Sequence, residues 1–304
     1  MSGRGGMTRS VARAPGEFSP GRRRLLGLLG GAAIAGCPAI VRGATHEPVR
    51  FGLTPVFLSS DLQLLTKFEQ YLAASIEDRV ALVQRRTYQE ISSLLLAGQL
   101  DAAWICGFPY VQYVDRLTLL AVPVFRSEPL YQSYVIVNRE NPARTFDDLR
   151  GGVHAFSDPD SNSGFLVTRH LLATMKESPD GFFNRTFFTY GHRNVIRAVA
   201  SGLAQSGSVD GYVWDVMSEM EPDLVGRTRI LRRSEKLGFP PIASNARLAH
   251  RPVARKLVSA LVGMHEQPLG QSVLAMLKLD RFVLPQKALF DGIADKYKLV
   301  RSVS

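Results

Sequence analysis

Past residue 44 the chain alternates short apolar runs with longer runs whose apolar positions recur every three or four residues. Residues 49–53 read as a strand, and Leu62, Leu65, Phe68 and Leu72 then fall on one helical face capped by Ser60-Asp61. Residues 80–83 form the next strand, and Thr87 caps a helix that runs through Ile91 and Leu95 and stops at Gly98. The short buried run 102–105 delivers Cys106-Gly107 at its carboxyl end, and 122–124 and 134–137 supply further strands. The alternation restarts at 145–149 and continues through strands at 153–156, 186–189 and 211–213, with helices between them. Three helical stretches follow, at 252–264, 268–277 and 285–296. Strand–helix alternation of this kind predicts an α/β fold with mostly parallel sheets flanked by helices.

The first 43 residues follow different rules. Arg22-Arg23-Arg24 precedes a Gly- and Ala-rich apolar stretch from Leu25 to Gly36, too short and too weakly apolar for a permanent bilayer span of about 20 residues. A twin-arginine pair, a modest apolar core and small residues predict an export signal over 1–43 and a periplasmic location. Two ends compete. Cleavage before Ala44, after Val41-Arg42-Gly43, is preferred over a lipid-anchored Cys37, whose following Pro38 suits a lipobox poorly.

Removing the signal changes the charge. Residues 1–43 hold seven arginines and one glutamate, +6 of the formal +10, and leave 30 basic against 26 acidic residues. That is an ordinary surface, and it gives no reason to expect nucleic acid. With Cys37 gone, Cys106 is the single thiol of an exported chain.

No G-x-S-x-G elbow, phosphate-binding Lys loop, H-E-x-x-H or C-x-x-C is present, and the six histidines lack metal-ligand spacing. An enzyme is not expected, and no cofactor is implied. The sharpest local signal is the run from Ser157 to Phe165 (Ser-Asp-Pro-Asp-Ser-Asn-Ser-Gly-Phe), between the strand at 153–156 and a helical run over 166–175. Such a turn offers hydroxyls and unpaired N–H groups at a helix amino end, which suits an oxyanion. An ordinary Asx or Ser cap reads the same way in isolation.

Taken together, Tyr131-Gln132-Ser133-Tyr134, the loop 158–165, Gly191-His192 and Val213-Trp214-Asp215 resemble the phosphonate/phosphite-binding family of transporter receptor proteins, over about residues 48–245. The resemblance implies a periplasmic binding protein of two α/β lobes closing on ligand: residues 45–135 plus 238–304 as lobe one, 138–232 as lobe two, and crossings near 135–138 and 232–239. Carried over by position, it implies that Ser161, Asn162 and Ser163 cradle the oxygens and that His192 donates. Tyr88 and Tyr131 would reach in from the walls, and Asp215 would meet a protonated or amino end of the ligand. Plain structural alternatives stand beside two of these roles: Tyr131 as an interface aromatic and Asp215 as a helix cap.

Two positions depart from the family pattern. Asn162 stands where threonine is usual, and Cys106 ends a first-lobe strand that should face the cleft. The combination resembles the branch that binds arsenite and reports to a membrane histidine kinase, because sulfur prefers a soft centre. On that expectation Cys106 bonds arsenic(III) while Ser161, Ser163 and His192 hold its oxygens; otherwise Cys106 is a small buried hydrophobe. The principal reading is thus a monomeric periplasmic receptor for arsenite. A receptor that passes phosphite, phosphonate or a similar oxyanion to an ABC permease is the alternative, and an enzyme acting on a phospho-compound is a distant third.

Overall fold

Thirteen strands and the helices between them account for most of residues 47–55 and 62–303, the part of the chain described by the computed structural model. The export signal, both of its candidate ends and the Ser60-Asp61 cap lie outside those residues. Among the described residues no helix is long and apolar enough to cross a membrane.

The strands are β1 (Val49–Leu53), β2 (Val80–Gln84), β3 (Ala102–Trp104), β4 (Leu117–Val124), β5 (Leu130–Tyr131), β6 (Ser133–Asn138) and β7 (Val153–Phe156). They continue with β8 (Arg185–Phe188), β9 (Ser206–Asp210), β10 (Thr228–Arg233), β11 (Leu237–Gly238), β12 (Ile242–Asn245) and β13 (Arg281–Val283). One sheet has six strands in the order β13-β4-β12-β3-β1-β2, and a second has five in the order β10-β6-β9-β7-β8. The protein is therefore an α/β fold of two lobes.

The sheets are mixed rather than mostly parallel. β2, β1 and β3 pair in parallel, as do β8, β7 and β9. β12 runs against both β3 and β4, β13 against β4, and β6 against both β9 and β10. Parallel neighbours need a crossover, usually a helix, between them. β6 and β12 instead enter their sheets straight from a crossing between lobes, and they run in reverse.

The first crossing lies at 125–132, ahead of the expected 135–138, because the whole of β6 is paired in the five-stranded sheet. The second lies at 234–241, between β10 and β12. β5 and β11 pair within the two crossings, Tyr131 opposite Leu237 and Leu130 opposite Gly238. This ribbon places Tyr131 between the lobes.

The strand expected at 211–213 is the start of a helix, Gly211–Met220. Asp210 ends β9, and its side chain accepts from the N–H groups of Tyr212 and Val213, which turns the chain into helix at that point. The last helical stretch also shifts: a short turn at Lys287–Phe290 leads into the helix Asp291–Ser302.

Lobe one packs the helix Leu62–Ile76 through Leu64, Phe68, Tyr71, Leu72 and Ile76, while Leu62 in the opening turn stays exposed. Each such apolar side chain contributes about 1.5–3 kcal/mol on burial. Lobe two is built around Phe146, Phe156, Phe182, Phe183 and Leu172. His154 lies in the same core, its ring stacked on Phe183 and its two nitrogens bonded to the hydroxyls of Ser206 and Ser208.

Candidate functional site

Five strands end at one place. β2 leads to Thr87, the cap of the helix Tyr88–Leu96; β3 leads to Cys106, the cap of the short helix Gly107–Gln112. β7 leads to Ser161, β8 to Gly191-His192 and β9 to Asp210, each opening a further helical segment. Carboxyl ends of strands and amino ends of helices therefore face each other across the lobes, an arrangement that concentrates N–H groups and partial positive charge.

The loop from Ser157 to Gly164 has a defined local cause. Asp158 folds it by accepting from Asp160 N–H at 2.8 Å, and its other oxygen accepts from Tyr88 N–H of lobe one at 3.2 Å. Ser161 Oγ accepts from Gly164 N–H at 3.0 Å. The helix expected at 166–175 opens one turn earlier, in a wide π-turn at Asn162–Leu166, with Leu166 N–H bonded to Ser161 O and Val167 N–H to Asn162 O. Gly164 is required here, since a Cβ at that position would lie 1.8 Å from Ser157 Oγ and 3.0 Å from His192 Cε1.

The lobes meet directly at this loop. Asn162 N–H donates to Cys106 Sγ at 3.1 Å, and Asn162 Nδ2 donates to Tyr131 Oη at 2.8 Å. Ser163 reaches the Asp210 carboxylate at 3.5 Å, and its carbonyl accepts from Ser133 Oγ at 2.6 Å. Tyr88 Oη and His192 Nε2 are 3.2 Å apart, and His192 Nδ1 accepts from Asp210 N–H at 3.1 Å. Tyr88, Cys106, Tyr131, Ser161, Asn162, Ser163 and His192 are all buried, so seven of the eight residues expected from the sequence gather in one cradle.

Asp215 is the exception. Its carboxylate pairs with Arg126 at 2.7 Å and lies 3.5 Å from Tyr134 Oη. It sits one turn into the helix, pointed at the turn that begins the first crossing, and neither meets the cradle nor caps the helix. The acid in the cradle is Asp210, which a strand at 211–213 would hide and the helix Gly211–Met220 reveals as its cap. Its N-cap position before Gly211-Tyr212 was the available signal.

Electrostatics follow from burial. Burial pushes the Cys106 thiol up to about 12, so it carries its proton. Burial holds His192 down at about 3, hence neutral, and raises the Asp210 carboxyl to about 7. Tyr88 and Tyr131 are raised well above the usual phenol range by burial, then by the neighbouring Cys106. None of the cradle residues is a lysine or arginine. Among the described residues the one buried cation is Lys296, and it is paired with Glu235.

A surface cavity of about 690 Å³ lies elsewhere, lined by Arg50, Asp78, Gln99, Arg251 and Lys256 among others. It opens at the amino ends of β1 and β3 and shares no residue with the cradle, so it is not the site these features describe. The described residues hold no His, Cys, Asp and Glu cluster suited to a metal ion.

The family of periplasmic substrate-binding proteins of phosphonate ABC transporters matches residues 51–290. The chain belongs to this family. A curated relative, the phosphonates-binding periplasmic protein of Escherichia coli (strain K12), is 24% identical over 187 residues, 59% of this chain and 55% of the relative. The chain thus matches about half of that relative's length. Among solved structures, a binding protein component of an ABC phosphonate transporter from Pseudomonas aeruginosa superposes with a TM-score of 0.77 at 18% identity, covering 85% of this chain and 88% of the other. A Prochlorococcus marinus protein in complex with methylphosphonate gives 0.75 at 17% identity, covering 83% and 98%. At these identities the superpositions establish the fold of this family member.

Proposed function

We propose that this family member is a periplasmic receptor that binds a small phosphonate-like oxyanion between its lobes and delivers it to an ABC permease, without turning it over. The observation that carries this reading is the convergence of helix amino ends, three serine and tyrosine hydroxyl donors and neutral His192 on one buried point without a lysine or arginine. Helix polarity and oriented hydroxyls hold an oxyanion in such a place. Ser161 and both tyrosines each accept one bond within the cradle, so each keeps a proton to give. Family members are substrate-binding proteins. The two crossings at 125–132 and 234–241 serve as the hinge, with ligand contacts to both lobes favouring the closed state. The twin-arginine pattern at Arg22-Arg23 supports export of the folded chain. Calorimetric titration of the mature chain with methylphosphonate, phosphite and phosphate tests the reading; absence of binding to all three would remove it.

Cys106 favours a second ligand, arsenite, with a histidine kinase as the partner. A protonated thiol and arsenous acid condense to an S–As bond with loss of one water, so no oxidant or reductant is needed. The soft centre would then sit on sulfur while Ser161, Ser163 and Tyr88, held by His192, face its oxygens. Titration with arsenite in parallel distinguishes the two.

A further inference from the structure

We propose that Asn162 reads the ligand's proton: its Oδ1 accepts a hydrogen bond from an O–H of the bound oxyacid, so that the cleft selects protonated oxyacids over fully deprotonated oxyanions of the same shape. The proposal rests on the reading that this cleft holds an oxyanion or oxyacid, and it names the class within it.

The amide of Asn162 is fixed at both ends. Its backbone N–H is tied to Cys106 Sγ across the lobes, and Nδ2 is tied to Tyr131 Oη, which leaves Oδ1 as the free end of the group. That oxygen is buried and has no hydrogen-bond partner among the described residues. A buried acceptor left unpaired is costly, and proteins seldom leave one without a use. Threonine, usual at this place in the family the sequence resembles, offers a hydroxyl that donates as readily as it accepts. Asn162 instead has an Nδ2 proton already placed on Tyr131 Oη and offers a separate oxygen, Oδ1, that can only accept.

The surroundings reinforce this. The Asp210 carboxyl, beside Ser163, has no cationic partner in the cradle, and Cys106 Sγ is already taken by Asn162 N–H. A trianionic or dianionic guest would meet two buried acceptors and no buried lysine or arginine. A guest that keeps an O–H satisfies Oδ1 and carries less charge. Sites built to hydrogen-bond a substrate O–H reject the analogue that lacks it far more strongly than apolar pockets reject a missing methylene.

Methylphosphonate and methanesulfonate provide the test. At about pH 6 both are tetrahedral monoanions of nearly one size, and only the phosphonate keeps an O–H. The full mature chain, titrated with each at that single pH, presents the same protonation states to both. The expected result is methylphosphonate binding roughly 10- to 100-fold tighter than methanesulfonate. Asn162→Leu should narrow the ratio to about threefold or less, chiefly by weakening the phosphonate. Asn162→Ala, which adds no bulk, should narrow it likewise and serves if the leucine variant does not fold. Equal wild-type affinity for both ligands would overturn the inference and leave the oxyanion reading standing. A ratio that survives both substitutions would overturn it too, and would move proton reading to Asp210. Binding of neither ligand would remove the oxyanion reading and this inference together.

Discussion

Asp210 and His192 are joined by one bond that settles the chemistry of the cradle: the Asp210 backbone N–H donates to His192 Nδ1 at 3.1 Å. With Nδ1 an acceptor and the ring neutral, the ring proton sits on Nε2 and is given to Tyr88 Oη. Tyr88 therefore presents its own hydroxyl proton to the cleft. On the proposed reading His192 would act through it as a positioning residue rather than as a charged clamp.

The same burial predicts an acid response. His192 and His154 are each held at about 3 in the fold against a usual 6.5, so below 6.5 the unfolded chain binds protons that the folded chain does not. Their stabilising effect is complete above 6.5 and falls by up to about 1.4 kcal/mol per pH unit per histidine as the pH drops toward 3. Asp210, raised to about 7 from 3.8, acts oppositely: its contribution is complete below 3.8 and is lost as the pH rises through 7. Melting should thus shift downward from pH 7 to 5, and Asp210→Asn should steepen the shift by removing the opposing group. A variant with the wild-type slope would place the Asp210 proton outside this balance.

Arg126 and Asp215 predict a weaker effect than a ligand contact would have. Tyr212, Asp215 and Glu219 lie on one face of the helix Gly211–Met220, toward lobe one. Tyr212 Oη donates to Leu277 O at 2.5 Å, and Glu219 pairs with Lys278 at 3.0 Å. Arg126 is 64% exposed, so its pair with Asp215 is largely screened. Asp215→Asn should weaken ligand binding by less than about fivefold in a calorimetric titration. A loss of a hundredfold or more would restore the ligand role read from sequence.

Gly164→Ala tests the cradle's packing. The added methyl meets Ser157 Oγ, so the loop must move away from His192. Oxyanion affinity should fall by more than about tenfold, and Ser157→Gly in the same chain should recover part of it. Unchanged affinity in Gly164→Ala would put the oxyanion somewhere other than this loop.

Cys106→Ser separates the two ligands. Serine keeps an acceptor for Asn162 N–H, so the fold and the methylphosphonate affinity should stay within about threefold of wild type. Arsenite binding, if the second reading holds, should disappear with the thiol. Arsenite affinity that persists in the serine variant would argue against an S–As bond.

The alternation of apolar runs determined the fold class, and the turn chemistry of the loop 157–164 marked it as the candidate cradle. Both are local properties: strand and helix periods and capping residues act over a few positions. Thr87 caps its helix where expected for the same reason, and Glu90 completes a capping box with it. Reading Ser161, Asn162, Ser163 and His192 as one group drew on resemblance, because nothing local links residues 30 apart. Only the tertiary structure decided which acid lies among the cradle residues. Asp210 and Asp215 are five residues apart, and the choice turns on whether 211–213 is strand or helix; the apolar Tyr-Val-Trp run suits a strand, but the Asp210 cap and the helix's packing against lobe one override it. The reversed directions of β6 and β12, the position of the first crossing and the meeting of Asn162 with Cys106 were likewise settled by which sheet each segment joins. Those are long-range contacts, made when two lobes close, and no window of neighbouring residues contains them.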